Sequence, residues 1–275
     1  MARCSPGPVV PDVQLVFGRE GHSCAVIGDS LHVLGGTGAN GVVPAERAVI
    51  HADGSLGPFT ALAEPLIQRA NHTSVLHRDS LYFFGGLMAN DSATIDRVTI
   101  GADLSLGAPV LQTNVYQPKT QAAGNTSFVL GDSFYVIGGL GEDGLPQARA
   151  WRSIFLPDGT ASGFGLLSGP GYARAMHQSV VLGNQLVLSG GISAIPGQGV
   201  SPPLNAQRAT LHPDGTLGEF SFFAADAPQG SSAIVIGNYV YVFGQYVARA
   251  PIIARPPASV RARGAAGALP VSGTR

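Results

Sequence analysis

The sequence predicts an all-β fold, a β-propeller of five repeated four-stranded antiparallel blades, and two features carry that prediction. Gly-Gly doublets close short apolar runs at nearly regular intervals, and turn signals that contain Asp recur between them. The doublets begin at Gly35, Gly85, Gly138 and Gly190, and a single Gly244 ends the fifth run. A period of about 52 residues is typical of stacked repeats, so we expect five copies of one module.

Each module contains four short runs of apolar, β-branched and aromatic residues bounded by Gly, Asp and Asn, which predicts four strands. In the first module the strands are Ser23–Ile27, Leu31–Leu34, a third near Ala48–His51 and a fourth near Phe59–Leu62. Gly-Asp and Asp-Gly pairs tolerate the positive φ that tight hairpins require. Because one such sheet cannot bury both of its faces, we expect the modules to stack around an axis.

The two ends of the chain predict how the ring closes. Residues 9–17 align with the fourth strand of a preceding module, and the last module has no recognisable fourth strand of its own. We therefore expect a propeller domain over residues 1–253, with a strand at 9–17 closing the last blade. Residues 254–275 hold four Arg and no acidic residue, which predicts a disordered tail or a non-native one produced by a shifted reading frame.

An Arg-x-x-His step precedes the first strand in three of the modules. The steps are Arg19/His22, Arg69/His72 and Arg174/His177. Followed by a strand, a tight turn, a second strand and a Gly-Gly doublet, this step resembles the kelch repeat of the galactose oxidase/kelch superfamily. The segment at 53–59 also resembles a bacterial branch of that family. Kelch propellers usually have six or seven blades, so a truncated larger propeller is the alternative.

Composition restricts the partners and the compartment. A net charge of −1 with 12% charged residues gives no electrostatic footprint for nucleic acid. No apolar run reaches the roughly 18 residues of a membrane helix, and the first residues lack the apolar core of a signal peptide. We expect a monomer that is cytoplasmic as written, or exported if the true N-terminus is missing. Fifteen Arg against the single Lys119 point to a GC-rich, bacterial source.

The predicted meander places successive connections alternately at the two ends of each blade. The turns between strands one and two and between strands three and four share the short-turn face, and the other connections share the long-loop face. The loops between strands two and three are long and unlike one another, and variable loops on a repeated scaffold are where binding sites form. We therefore predict ligand-binding residues on the long-loop face. These are Asn40, Asn90, Asp91, Glu142, Asp143, Gln198 and Asn205.

A ring of polar residues stands at the head of the first strands, around the predicted mouth of the central channel. Its members are His22, His72, Asn125, His177 and Ser231. Imidazoles around an axis suggest a metal site, but bonds of about 2.0–2.1 Å require the ligands to converge on one point. First strands of different blades stand too far apart for that. We interpret the ring as structural and predict no metal and no cofactor.

One Arg also recurs six residues before the Asp of each turn between strands three and four. These residues are Arg47, Arg97, Arg152 and Arg208. An anion site is one interpretation, but a residue that every blade contains is better explained as a brace on a neighbouring carboxylate or carbonyl. The aspartates themselves are predicted to form turns, because an Asp side chain hydrogen-bonds its own backbone there.

The sequence contains none of the common catalytic motifs, neither Gly-x-Ser-x-Gly, nor a P-loop, nor His-Glu-x-x-His. Galactose oxidase, to whose superfamily the chain is similar, uses copper and a Tyr–Cys cross-link. No matching set stands out here, and Cys24 lies inside a first strand. We therefore predict no catalytic residue and a binding or scaffold propeller for a protein or a carbohydrate. The alternatives are a sugar-modifying oxidase or epimerase and a fragment without independent function.

Overall fold

The structure is a computed structural model, which describes residues 13–63, 67–86, 94–112, 123–195, 199–201, 205–225, 232–236, 239–243 and 266–270. Four antiparallel sheets of four strands each form a four-blade β-propeller. This arrangement confirms the predicted all-β propeller fold. Within those ranges no helix is long and apolar enough to cross a membrane.

Every complete blade is a meander that runs outward from its first strand, and the first strands of successive blades contact one another. Blade 1 comprises Ser23–Ile27, Ser30–Leu34, Glu46–Val49 and Thr60–Ala61. Blade 2 comprises Thr73–His77, Ser80–Phe84, Ile95–Thr99 and Val110–Gln112. Blade 3 comprises Thr126–Leu130, Ser133–Ile137, Ala150–Ile154 and Gly165–Leu167. Blade 4 comprises Gln178–Leu182, Gln185–Ser189, Asn205–Thr210 and Ser221–Ala225.

Two of the long loops between strands two and three form small hairpins of their own. In blade 1 Thr37–Gly38 pairs with Gly41–Val42, and in blade 4 Ser193–Ile195 pairs with Gly199–Ser201. Internal pairing satisfies backbone donors and acceptors in loops that project beyond the sheets.

The fifth module differs from the expected complete blade. It forms a three-stranded sheet of Ser232–Ile236, Tyr239–Phe243 and Ala266–Pro270. The third of these strands comes from the segment 254–275, for which the sequence predicts no structure. The boundary between residues 253 and 254 remains a prediction.

The predicted closing strand at 9–17 does not form in the part of it that the structure describes. Residues 13–17 adopt no strand, and residues 9–12 lie outside the described ranges. The backbone N–H groups of Val16 and Phe17 instead donate to the carboxylate of Glu46, at 2.6 and 3.0 Å. A buried carboxylate on blade 1 therefore takes donors that a strand ladder would need.

Apolar cores lie between successive blades, so each sheet has a forward face toward the next blade and a rear face toward the preceding one. Blades 1 and 2 enclose Ile27, Leu34, Ala45, Ile67, Leu81, Phe83 and Val98. Blades 2 and 3 enclose Val75, Tyr82, Phe84, Ile95, Phe134, Val136, Phe155, Ala161 and Phe164. Blades 3 and 4 enclose Tyr135, Ile137, Ala150, Leu186, Leu188, Leu211 and Leu217. Burial at about 1.5–3 kcal/mol for each large side chain makes these cores the main source of stability.

The Asp turns form as predicted. The Oδ1 atom of each Asp accepts hydrogen bonds from the backbone N–H and the hydroxyl of the residue two positions later. The four pairs are Asp53/Ser55, Asp103/Ser105, Asp158/Thr160 and Asp214/Thr216. These hydrogen bonds favour the ionised carboxylate and lower the pKa of all four aspartates.

Two of the recurrent arginines brace the next blade, which confirms the predicted role for them. The Arg97 guanidinium donates to the Asp158 carbonyl at 2.8 Å, and Arg152 donates to the Asp214 carbonyl at 2.8 Å. A tyrosine directly paired with each Arg in the sheet reaches the same turn. The hydroxyl of Tyr82 donates to the carbonyl of Gly159 at 2.8 Å, and that of Tyr135 to Gly215 at 3.0 Å. We call this Tyr–Arg arrangement the turn clamp.

A pair of glycine substitutions tests the tight contact between blades. Gly138 and Gly183 both adopt positive φ, 61° and 59°, so alanine at either position adopts the same unfavourable backbone conformation. A Cβ at Gly138 would lie 2.8 Å from Cε1 of His177, whereas a Cβ at Gly183 meets no atom within 4 Å. We expect Gly138→Ala to lower the free energy of unfolding by about 2 kcal/mol more than Gly183→Ala in urea denaturation. Equal losses would contradict the importance of this contact.

Candidate functional site

Two histidines of the predicted ring around the channel mouth, His72 and His177, are buried and connect neighbouring blades. Nε2 of His72 lies 2.8 Å from the Ser23 hydroxyl of blade 1, and Nε2 of His177 lies 3.1 Å from the Thr126 hydroxyl of blade 3. Asn125 is buried and His22 is exposed, while Ser231 lies outside the described residues. Over the described part of the chain, no three His, Cys, Asp or Glu residues come together as a candidate metal site.

Burial keeps these two imidazoles neutral. Desolvation is the main cause, and the neighbouring Arg69 and Arg174 charges add to it. Together they lower the pKa of His72 to about 4 and that of His177 to about 3. Neutral imidazoles that bond a hydroxyl of the preceding blade are structural groups at neutral pH.

A belt of backbone hydrogen bonds runs just before these ring positions. The N–H of Asn71 donates to Gly21, that of Gly124 donates to Asn71, and that of Met176 donates to Gly124, at 2.8, 2.8 and 2.6 Å. All four residues have positive φ, including Asn71 at 56° and Met176 at 54°. The belt fixes the height of each blade relative to its neighbours.

The arginine of the Arg-x-x-His step is also structural. A guanidinium nitrogen of Arg19, Arg69 or Arg174 donates to the carbonyl of the doublet glycine sixteen residues later, at 2.9, 2.7 and 3.0 Å. In blades 1 and 2 the same group pairs with a carboxylate on the third strand. These partners are Glu46 for Arg19 and Asp96 for Arg69. In these two blades the carboxylate matches the charge of the buried guanidinium.

The predicted ligand residues are distributed over several loops of the long-loop face. Asn40 is exposed between the strands of the blade 1 hairpin, and Glu142 and Asp143 are exposed in blade 3. Asp143 accepts the N–H of Leu145 at 3.0 Å and therefore forms a turn. Asn205 begins the third strand of blade 4, opposite Ala225. The other predicted residues, Asn90, Asp91 and Gln198, lie outside the described residues.

An exposed aromatic pair on blade 4 provides a more definite candidate than those loops. Tyr172 lies in the connection that enters blade 4, and Phe222 lies in its fourth strand. The side chains are 38% and 46% exposed, with ring centroids 4.8 Å apart and planes tilted by 39°. The two rings leave apolar area in contact with water, which a ligand could cover.

A buried amide lies beside this pair. Gln207 is 1% exposed and is directly paired with Phe222 across the two outer strands. Among the residues that the structure describes, neither Nε2 nor Oε1 of Gln207 has a hydrogen-bond partner. Gly171, next to Tyr172 in the chain, lies close to both side chains, because a Cβ there would lie 3.8 Å from Gln207 Nε2 and from Phe222 Cζ. An unpaired buried amide costs about 1–3 kcal/mol, so its retention calls for an explanation.

Gln207 departs from the repeat at this position. By strand register it corresponds to Glu46 and Asp96, the carboxylates that bind arginine in blades 1 and 2. A β-bulge between Ala206 and Gln207 shifts the register there, and bulges often re-aim side chains beside functional sites. Sequence analysis missed Tyr172, Gln207 and Phe222. The sequence signal that could have pointed to this position is the amide of Gln207 where the other blades have the carboxylates of Glu46 and Asp96.

A second departure lies on the short-turn face, in a cleft of about 320 Å³ between blades 2 and 3. His77 and Arg78 stand there, and each places a nitrogen 2.9 Å from Asp132 Oδ1. His77 also stacks on Phe155, with centroids 4.4 Å apart. Arg78 adopts φ 53°, where the other complete blades have glycine. Because these contacts join the two blades, the cleft belongs to their interface.

Comparison with known proteins supports the fold. No family model and no curated protein matches the chain. The solved structure of YjhT aligns with a TM-score of 0.62 and 19% identity, and the alignment covers 85% of this chain and 73% of that one. Similarity at this level of identity shows that the two proteins share the fold.

Acidification tests the neutral histidines. Both folded-state pKa values lie below the unfolded value of about 6.5, so the unfolded chain binds more protons and stability decreases as pH falls. Each histidine should contribute a loss of about 2 kcal/mol in the free energy of unfolding between pH 7.5 and 5. His72→Gln and His177→Gln should each weaken this pH dependence in urea denaturation, and His51→Gln, at an exposed position, should leave it intact. An unchanged dependence in all three variants would contradict the assignment.

Proposed function

We propose that this protein is a non-catalytic, kelch-type binding propeller that recognises a carbohydrate through the long-loop side of blade 4. The observation that carries the proposal is the exposed Tyr172–Phe222 pair beside the buried, unpaired amide of Gln207. The kelch assignment rests on the repeat pattern of the sequence together with the propeller fold.

The combination of groups suits a sugar. Aromatic faces contact the apolar C–H faces of a pyranose ring, and an amide can both donate to and accept from its hydroxyl groups. A ligand hydroxyl that reaches Gln207 would satisfy an amide that otherwise remains unpaired. Small-molecule sites usually combine apolar surface with a few polar groups that orient the ligand.

The roles of the other polar groups favour binding over catalysis. His72 and His177 hold neighbouring blades together, and Arg97 and Arg152 hold turns of the next blade. We expect substitution of any of these residues to lower the stability of the fold rather than to alter a catalysed reaction. The aromatic patch, in contrast, lies on the surface and is available to a ligand.

The test is a panel of neutral mono- and oligosaccharides, with binding measured by isothermal titration calorimetry. Tyr172→Ala and Phe222→Ala should each weaken binding at least about tenfold, equal to about 1.4 kcal/mol. Leu166→Ala is the matched control, because Leu166 is an exposed apolar residue of the fourth strand of blade 3. It should leave the affinity unchanged.

Three results would overturn the proposal. One is the absence of binding to any sugar, and another is binding that both aromatic variants retain in full. The third is chemical conversion of a bound sugar, detected by NMR of the incubated ligand, which would establish an enzyme instead.

A further inference from the structure

Asn40 stands at the tip of the blade 1 hairpin, in the only Asn-Gly step of the sequence. Ala39 and Asn40 form the turn between Thr37–Gly38 and Gly41–Val42, and both turn residues are exposed. In the described part of the chain, no hydrogen bond involves the Asn40 side chain. Its amide is therefore open to water and is not held by any of those residues.

The hairpin itself requires glycine after Asn40. Gly41 adopts φ 101°, whereas neither Ala39 nor Asn40 has a positive φ. Where one residue of positive φ follows the turn residues of a hairpin, that residue is normally glycine, because a Cβ is unfavourable in this conformation. A Cβ at Gly41 would meet no atom within 4 Å, so no neighbour shields this side of the glycine. The turn therefore places an exposed asparagine directly before an unhindered peptide nitrogen.

An asparagine before glycine can lose its amide without an enzyme. The Gly41 nitrogen gives up its proton and bonds to Cγ of Asn40, the Cγ–Nδ2 bond breaks, and the amide nitrogen leaves as ammonia. Water then opens the resulting succinimide ring at one of its two carbonyls. Opening at the former side-chain carbonyl gives aspartate. Opening at the main-chain carbonyl gives isoaspartate, in which the main chain passes through Cβ and Cγ.

The aspartates that precede glycine are protected from the same ring closure by their turns. They are Asp53, Asp143, Asp158 and Asp214. In each turn Oδ1 accepts the backbone N–H of the residue two positions later, and the glycine N–H donates to the residue two positions before the Asp. Hydrogen bonds from the hydroxyl and N–H of the later residue lower the pKa of Asp53, Asp158 and Asp214. An ionised carboxylate resists attack by an amide nitrogen.

Asn40 also differs from the other asparagines, none of which precedes glycine. Asn71 belongs to the backbone belt, and Asn125 is buried. Asn184 is exposed like Asn40, but it precedes Gln185, whose Nε2 donates to Asn184 Oδ1 at 3.4 Å. Asn184 therefore provides a comparison within the chain, because it is an exposed asparagine whose following residue carries a side chain.

We propose that Asn40 is a site of spontaneous deamidation, through which the long-loop face of blade 1 gains aspartate or isoaspartate as the protein ages. Either product carries a negative charge at neutral pH, where the amide carries none. Isoaspartate also adds a methylene group to the main chain of the turn, so the pairing of Gly38 with Gly41 loses its register. Thr37 and Glu20 bond each other through both backbone groups at 3.0 Å, which confines the change to the hairpin tip.

The test incubates the full chain, folded, in neutral buffer at physiological temperature for several weeks. Samples are digested at mildly acidic pH, and mass spectrometry detects replacement of the amide by a carboxyl group and separates aspartate from isoaspartate. We expect Asn40 to convert at least about tenfold faster than Asn184, with isoaspartate among the products. Conversion should accelerate at mildly alkaline pH, because ring closure requires loss of the Gly41 amide proton.

Asn40→Gln is the matched control. Glutamine keeps an exposed amide at the hairpin tip, but its longer side chain must close a larger ring, which forms more slowly. The variant should therefore retain its amide over the same period. Far-UV circular dichroism of the variant and of the aged protein should match that of fresh protein, because the change lies outside the blades.

Each other outcome overturns the proposal. An amide that Asn40 keeps in the folded protein and loses only after unfolding in urea would show that the hairpin protects it. Equal rates at Asn40 and Asn184 would show that the following glycine confers no selectivity. Aspartate without isoaspartate would show direct hydrolysis instead of ring closure. Equal loss of the amide from the Asn40→Gln variant would lead to the same conclusion.

Discussion

The structure depends on one constraint, which is that each four-stranded sheet can bury its faces only against its neighbours in the ring. The apolar cores lie between blades and not within them, and the hydrogen bonds that fix the blades also cross from one to the next. The belt through Asn71, Gly124 and Met176 sets blade height, and the turn clamps set blade spacing. A blade outside such a stack would expose two apolar faces, so stability belongs to the assembly of modules.

This constraint separates residues that serve the scaffold from residues that do not. His72 and Arg97 recur at equivalent module positions and bond the neighbouring blade, whereas Arg69 bonds Gly85 and Asp96 of its own blade. Departures from the repeat are informative for the same reason. Gln207 replaces a carboxylate and leaves its amide unpaired, and Arg78 adopts a backbone conformation that glycine accepts more easily.

The two departures have different consequences. Arg78 and His77 both contact the carboxylate of Asp132, so their polar groups already have a partner at the junction between blades 2 and 3. Gln207 has no such partner in the described part of the chain, and it lies next to exposed aromatic rings and a backbone bulge. An unsatisfied group beside solvent-exposed apolar surface is suited to binding a ligand, because the ligand can satisfy the group and cover the surface together.

The sequence by itself determined the strands, the tight turns and the propeller, because strand periodicity and turn chemistry are local properties that each module repeats. It also indicated that Arg97 and Arg152 act as braces. Only the tertiary structure decided which residues meet across blades: Tyr172, Gln207 and Phe222 are separated along the chain, and a connection and a bulge bring them together. The pairing of Ala266–Pro270 with Tyr239–Phe243 was likewise not predictable, since an Ala- and Gly-rich strand has little local preference, and its place depends on an edge formed elsewhere in the chain.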